Sequence, residues 1–114
     1  MSAITTHVLD ISRGRPAEGV PIQLEMQEAD GGWRILCAGV TDRDGRLKEL
    51  LPASHVLEEG IYRLTFDTRS YFVSQHTESF YPEVKIVFAI RDASEHYHVP
   101  LLLSPFGYST YRGS

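Results

Sequence analysis

Tyr97-His98-Val99-Pro100-Leu101-Leu102-Leu103 is the stretch on which the fold turns. Read with the period of two that a strand imposes, Tyr97, Val99, Leu101 and Leu103 point one way. His98, Pro100 and Leu102, with His96 just before them, point the other. Both faces are apolar towards Leu103. One face packs on a core, and the second is apolar enough to need a cover of its own, either another subunit or a ligand. Pro100 has no N–H for a ladder, which predicts a sheet edge or an irregular strand beside a pocket. The run from Leu101 to Tyr108 leads directly into Tyr111-Arg112-Gly113-Ser114, and its apolar character predicts that this tail is pinned to the core instead of fraying as chain ends usually do.

Outward from this stretch, strand signals recur at residues 5–11, 22–27, 33–40, 62–67, 84–90 and 108–111. Glycine and aspartate clusters separate them, at Arg13-Gly14-Arg15-Pro16, Ala29-Asp30-Gly31-Gly32, Asp42-Arg43-Asp44-Gly45 and Glu58-Glu59-Gly60. Such regular punctuation predicts a mainly β protein, a sandwich or a barrel. One segment, residues 67–76, breaks the alternation and offers Asp67 and Thr68 as N-caps, so a short helix is expected there, ending before Phe80-Tyr81-Pro82.

The 114 residues, 42% hydrophobic and 23% charged, suit a single domain over residues 1–114. A net charge of −4, with 11 lysines and arginines scattered along the chain, argues against nucleic acid as a partner. Cys37 is the only cysteine, so no internal disulfide forms, and its neighbours Ile35, Leu36 and Ala38 predict a buried small residue. No signal peptide, membrane span or peroxisomal ending is readable, which makes a cytoplasmic protein the expectation.

Few residues can carry chemistry. His7 shares a strand face with Leu9 and Ile11, opposite Thr6, Val8 and Asp10. The ordinary reading of such a residue is a partly buried histidine bonded to a neighbouring carbonyl. The ordinary reading of His98 is an exposed rim histidine, and of Arg46, after the tight turn, a solvated arginine. Brought together, the three would suit water attack on a carbonyl, with an imidazole taking the proton and the guanidinium stabilising oxygen charge. His96 and His98 form a His-x-His pair, a weak metal signal without a third and fourth ligand. No Gly-x-Ser-x-Gly elbow supports a serine nucleophile. His55 and His76 read as surface residues.

Five segments together resemble the transthyretin-related 5-hydroxyisourate hydrolases. They are Thr6-His7-Val8-Leu9-Asp10, Gly19-Val20-Pro21, Thr41 to Arg46, His98 to Pro105, and Tyr108 to Ser114. The Tyr-Arg-Gly-Ser ending is the specific part. The resemblance implies a transthyretin-like two-sheet sandwich with one short helix, and a homotetramer built as a dimer of dimers with sites in the channel between dimers. It implies cofactor-free, metal-independent hydrolysis of the small molecule 5-hydroxyisourate to 2-oxo-4-hydroxy-4-carboxy-5-ureidoimidazoline. It also places catalysis on His7, Arg46 and His98, and substrate contacts on Tyr111, Arg112, Gly113 and Ser114. A transthyretin-like carrier of a small aromatic ligand is the alternative on the same fold. A metal-dependent amidohydrolase using His7, His96 and His98 and a structural β-sandwich are the others.

Overall fold

The computed structural model describes residues 3–52 and 54–114. Eight strands and one helix follow in the order β1 (Ile4–Asp10), β2 (Arg15–Pro16), β3 (Pro21–Gln27), β4 (Trp33–Val40), β5 (Gly60–Phe66), α1 (Thr68–Ser74), β6 (Val84–Ile90), β7 (Tyr97–Ser104) and β8 (Gly107–Thr110). They form two four-stranded sheets, β2-β1-β7-β8 and β4-β3-β5-β6. Alternation decides what lies between them. Ile4 and Val8 of β1 and Val99, Leu101 and Leu103 of β7 meet Ile22, Leu24, Leu64, Phe66 and Val84 of the second sheet in one buried core. The expected mainly β, two-sheet sandwich with one short helix is the fold observed.

β7 differs from expectation in one respect. It is an inner strand, paired in parallel with β1 along its whole length and antiparallel with β8. Pro100 is accommodated without a bulge, because β8 ends at Thr110, opposite Leu101. The same register continues into the tail, where His98 pairs with Gly113. Pro100 would therefore face Tyr111, and having no N–H it makes the ladder lapse over Tyr111 and Arg112. The Thr110 hydroxyl takes the Pro100 carbonyl instead, at 2.7 Å.

Two more expectations are corrected. Cys37 is only half-buried, because β4 is the outer strand of its sheet and its Sγ lies 3.4 Å from the Glu49 carbonyl oxygen. His55 is half-buried too, and its Nε2 is enclosed without a hydrogen-bond partner among the described residues. His76 is exposed, as expected.

Helix α1 starts where Asp67 accepts from the Ser70 N–H, a side-chain cap that satisfies one of the free donors of the first turn. Its Tyr71 hydroxyl donates to Asp10 Oδ2 at 2.6 Å, fixing the helix to the end of β1. Asp10 is 1% exposed, and its other oxygen accepts from the Ser12 N–H, the Ser12 hydroxyl and the Arg13 N–H. Burial, then the hydrogen bond to Asp10 and its charge, push the Tyr71 phenol up to about 12, so it stays a donor at any physiological pH. Tyr71→Phe leaves a buried carboxylate oxygen short of its donor and is expected to destabilise the fold by about 1–3 kcal/mol, measured by urea denaturation. An unchanged midpoint would show that water replaces the phenol.

Candidate active site

The parallel pairing of β1 with β7 sets Thr5 opposite His98 and His7 opposite Pro100. On this face, the one turned away from the core, side chains alternate with the buried Thr6, Val8, Val99 and Leu101. His7 and His98 are therefore diagonal neighbours on adjacent strands, both half-buried.

Each strand is extended sideways by a short bridging segment. Beyond β1, the turn Asp42–Arg46 pairs Arg46 with His7, and the Val8 N–H donates to the Gly45 carbonyl at 2.8 Å. Beyond β7, the Gly113 N–H donates to the His98 carbonyl at 2.8 Å. Both segments meet their strand through a glycine, for steric reasons. Gly45 has φ +76°, and a Cβ there would overlap the Val8 carbonyl oxygen and stand 3.3 Å from His7 Cδ2. A Cβ on Gly113 would lie 2.5 Å from His98 Cδ2.

The turn itself is held by Asp42. Its carboxylate accepts from the Asp44 and Arg46 N–H groups at 2.9 and 3.0 Å, and its N–H donates to the Arg46 carbonyl at 2.8 Å. The Arg46 N–H is the chief cause holding the Asp42 carboxyl below the usual carboxylate range. The Arg46 guanidinium is left without a hydrogen bond or ion pair among the described residues, ready for a ligand.

A cavity of about 580 Å³ opens over this row, lined by Thr5, Arg46, Lys48, His96, His98 and Ser114 among others. The expected residues do not all gather there. His98, Arg46 and Ser114 share the cavity; His7 does not line it and stands beside Gly45 and Arg46. Tyr111 and Arg112 line a different cavity, with Glu95 and Tyr97. The Arg112 guanidinium lies 4.4 Å from the centre of the Tyr97 ring and reaches the His96 carbonyl at 3.3 Å. Tyr97 belongs to the core-facing set of β7, so Arg112 is drawn to the opposite side of the sheet from His98. The tail is held by these contacts, by an ion pair of Arg112 with Glu95 and by its backbone bridge, while apart from the half-buried Gly113 it is exposed.

Thr5, Lys48 and Glu49 are cavity residues that the sequence reading passes over. For Thr5 a signal existed, since alternation puts it on the His7 face. Burial holds the His98 imidazole below its ordinary pKa of 6.5, and the nearby charges of Arg46, His7 and His96 push the same way, against a hydrogen bond with the Thr5 backbone. His98 is therefore a neutral imidazole at neutral pH, able to accept a proton.

A family model, that of the HIUase/transthyretin family, matches residues 4–113. The chain belongs to this family. A 5-hydroxyisourate hydrolase of Salmonella typhimurium is 50% identical to it over 111 residues, 97% of this chain and 80% of that protein. Among solved structures, sea bream transthyretin in complex with thyroxine superposes with a TM-score of 0.92 at 34% identity, covering 98% of this chain and 95% of the other. The 5-hydroxyisourate hydrolase of Klebsiella pneumoniae gives 0.83 at 39% identity, covering 97% and 92%. The backbone thus matches a thyroxine-bound transthyretin and a 5-hydroxyisourate hydrolase alike, and side chains must separate the two readings.

The steric role of Gly113 is open to direct test. Gly113→Ala should lift the tail from β7, so that the residue 113 amide loses hydrogen-exchange protection while the urea midpoint of the whole protein stays put. Retained protection would mean that the His98 ring moves aside.

Proposed function

We propose that this protein hydrolyses 5-hydroxyisourate in urate degradation, opening a ring amide to give 2-oxo-4-hydroxy-4-carboxy-5-ureidoimidazoline. The observation that carries the reading is that Arg46 pairs with His7 on the sheet face that holds His98, and that an uncommitted guanidinium, the half-buried His98 imidazole and Ser114 line one cavity. Relatives at up to 50% identity that are themselves named 5-hydroxyisourate hydrolase support it.

Water attack on the ring carbonyl needs a base, a group for the developing oxyanion and an acid for the leaving nitrogen. One of His7 and His98 takes the proton from water, the other orients it, and Arg46 stabilises the tetrahedral oxyanion. Ser114 offers its hydroxyl to the polar ring edge, against a wall made by Gly113. Tyr111 and Arg112 act by holding that tail. Two imidazoles and a guanidinium supply each requirement, so the reaction is read as independent of metal and cofactor, and full activity after exhaustive chelation is expected. The working protein is proposed to be one transthyretin-like domain per chain, assembled as a homotetramer, a dimer of dimers, in the cytoplasm. The half-buried Leu102 on the site face fits a wall completed by a second copy.

The carrier reading draws on the closeness to sea bream transthyretin. Against it stand the polar groups of the cavity, each of which costs about 1–3 kcal/mol when covered by an apolar ligand and left unpaired. Mixing the protein with freshly generated 5-hydroxyisourate separates the two. The substrate decays unaided, so the expected result is a decay faster than the protein-free control, and equal rates would refute hydrolysis.

His7→Ala, Arg46→Ala and His98→Ala should each lower kcat/KM by roughly a hundredfold or more, and near-normal kinetics would remove that residue from the mechanism. The pH profile provides a finer measurement. With His98 held below 6.5, the rising limb of kcat/KM belongs below that pH. Arg46→Gln removes a charge that depresses His98, so the limb should move up towards 6.5; a limb that stays in place would assign it to another group.

A further inference from the structure

Thr5 is placed with unusual definition for a residue outside the proposed reaction. Its Oγ1 lies 2.8 Å from His98 Nδ1 and 3.2 Å from His96 Nε2. A hydroxyl carries one proton and two lone pairs, so a hydrogen-bond chain that runs through it has it donating to one ring and accepting from the other. Two arrangements of three neutral groups satisfy that rule. In the first, His98 Nδ1–H donates to Oγ1, the hydroxyl donates to His96 Nε2, and His98 Nε2 is a bare lone pair. In the second, His96 Nε2–H donates to Oγ1, the hydroxyl donates to His98 Nδ1, and His98 Nε2 carries the proton. The first makes His98 a base at Nε2 and the second makes it an acid.

We propose that the Thr5 hydroxyl is a proton relay, which switches His98 between base and acid by exchanging protons with the exposed imidazole of His96. The inference rests on the hydrolase reading. As His98 Nε2 takes a proton from the attacking water, the Nδ1 proton passes to Thr5 Oγ1. The hydroxyl's own proton passes to His96 Nε2, and the His96 Nδ1 proton goes to bulk water. One proton enters and one leaves, the hydroxyl is regenerated, and both rings end neutral in the other tautomer. When the ring nitrogen of the substrate departs it takes the His98 Nε2 proton, and each transfer runs backwards, with bulk water supplying His96 Nδ1.

The surroundings explain why the proton should travel. His98 is half-buried and faces His7 from β1 and Arg46 from the turn, while Lys48, Glu49 and Ser114 line the same cavity. A cation held on that ring meets the Arg46 guanidinium in a partly desolvated site. His96 is exposed, and its Nδ1 has no partner among the described residues. Moving the proton outward by two hydrogen bonds leaves no charge on His98 during the attack.

Thr5→Val keeps the shape and deletes the hydroxyl, Thr5→Ser keeps the hydroxyl, and His96→Phe removes the outer acceptor. The expected result is a fall of about tenfold or more in kcat with KM little changed for Thr5→Val and for His96→Phe, and recovery in Thr5→Ser. The double variant Thr5→Val/His96→Phe should be no slower than either single one, because the relay is already broken. Wild-type kcat in either single variant, or losses that multiply in the double one, would overturn the relay. Should Thr5→Val not fold, the kcat of His96→Phe, altered at an exposed position, decides the matter. A readout independent of turnover is the ring ¹⁵N spectrum: His96→Phe should change the His98 tautomer with Thr5 present and leave it unchanged in Thr5→Val. A wild-type protein that fails to speed the decay would sink the hydrolase reading, whereas an unaltered His98 tautomer in His96→Phe sinks the relay alone.

Discussion

Everything at the site depends on the parallel ladder between β1 and β7. The other strand pairs of the two sheets are antiparallel and mostly join strands close in sequence, but this one joins the first strand to the seventh, across roughly ninety residues. Its register sets which residues of two distant segments become neighbours. A slip of one residue would turn His7 or His98 into the core and bring Val8 or Val99 out. The core thus enforces the site, since Ile4, Val8, Val99 and Leu101 are buried only in the register that leaves the two histidines on the other face.

The second constraint is electrostatic. The positive field near His98 comes from Arg46 and Lys48, which line the cavity with His96, His98 and Glu49, while His7 stands beside Arg46. Such a field suits an anion or a developing oxyanion and opposes a second proton on the inner imidazole. Inner and outer histidines consequently differ in kind although they stand two residues apart: one is partly desolvated, the other is bathed in water.

Much of this is legible in residue order. Alternation sets the strand faces, the Asp67 cap starts the helix, and the tight turn before Arg46 gives its cation a fixed place. What alternation cannot reveal is which strand lies beside which. Pro100 reads as an edge or irregular position because an isolated strand does not reveal that its partner ends one residue earlier. The burial of Cys37 and His55 escapes residue order for the same reason, since it depends on an outer strand and a long loop whose neighbours come from elsewhere in the chain. The two-residue β2 carries no periodicity at all, and its residues read as a turn. Tyr111 and Arg112 sit next to Gly113 in sequence but on another side of the sheet, where Tyr97 captures the guanidinium.

The lapse in pairing beside Pro100 acts as a tear line. Gly113 can leave His98 without opening the bonds that tie β8 to β7, because the ladder is already interrupted at Tyr111 and Arg112. The last four residues can come and go while the hairpin and the core stay whole. The cavity wall that Ser114 supplies thus opens separately from the β7–β8 hairpin, so a change confined to residues 111–114 reaches the cavity with little effect on whether the protein is folded.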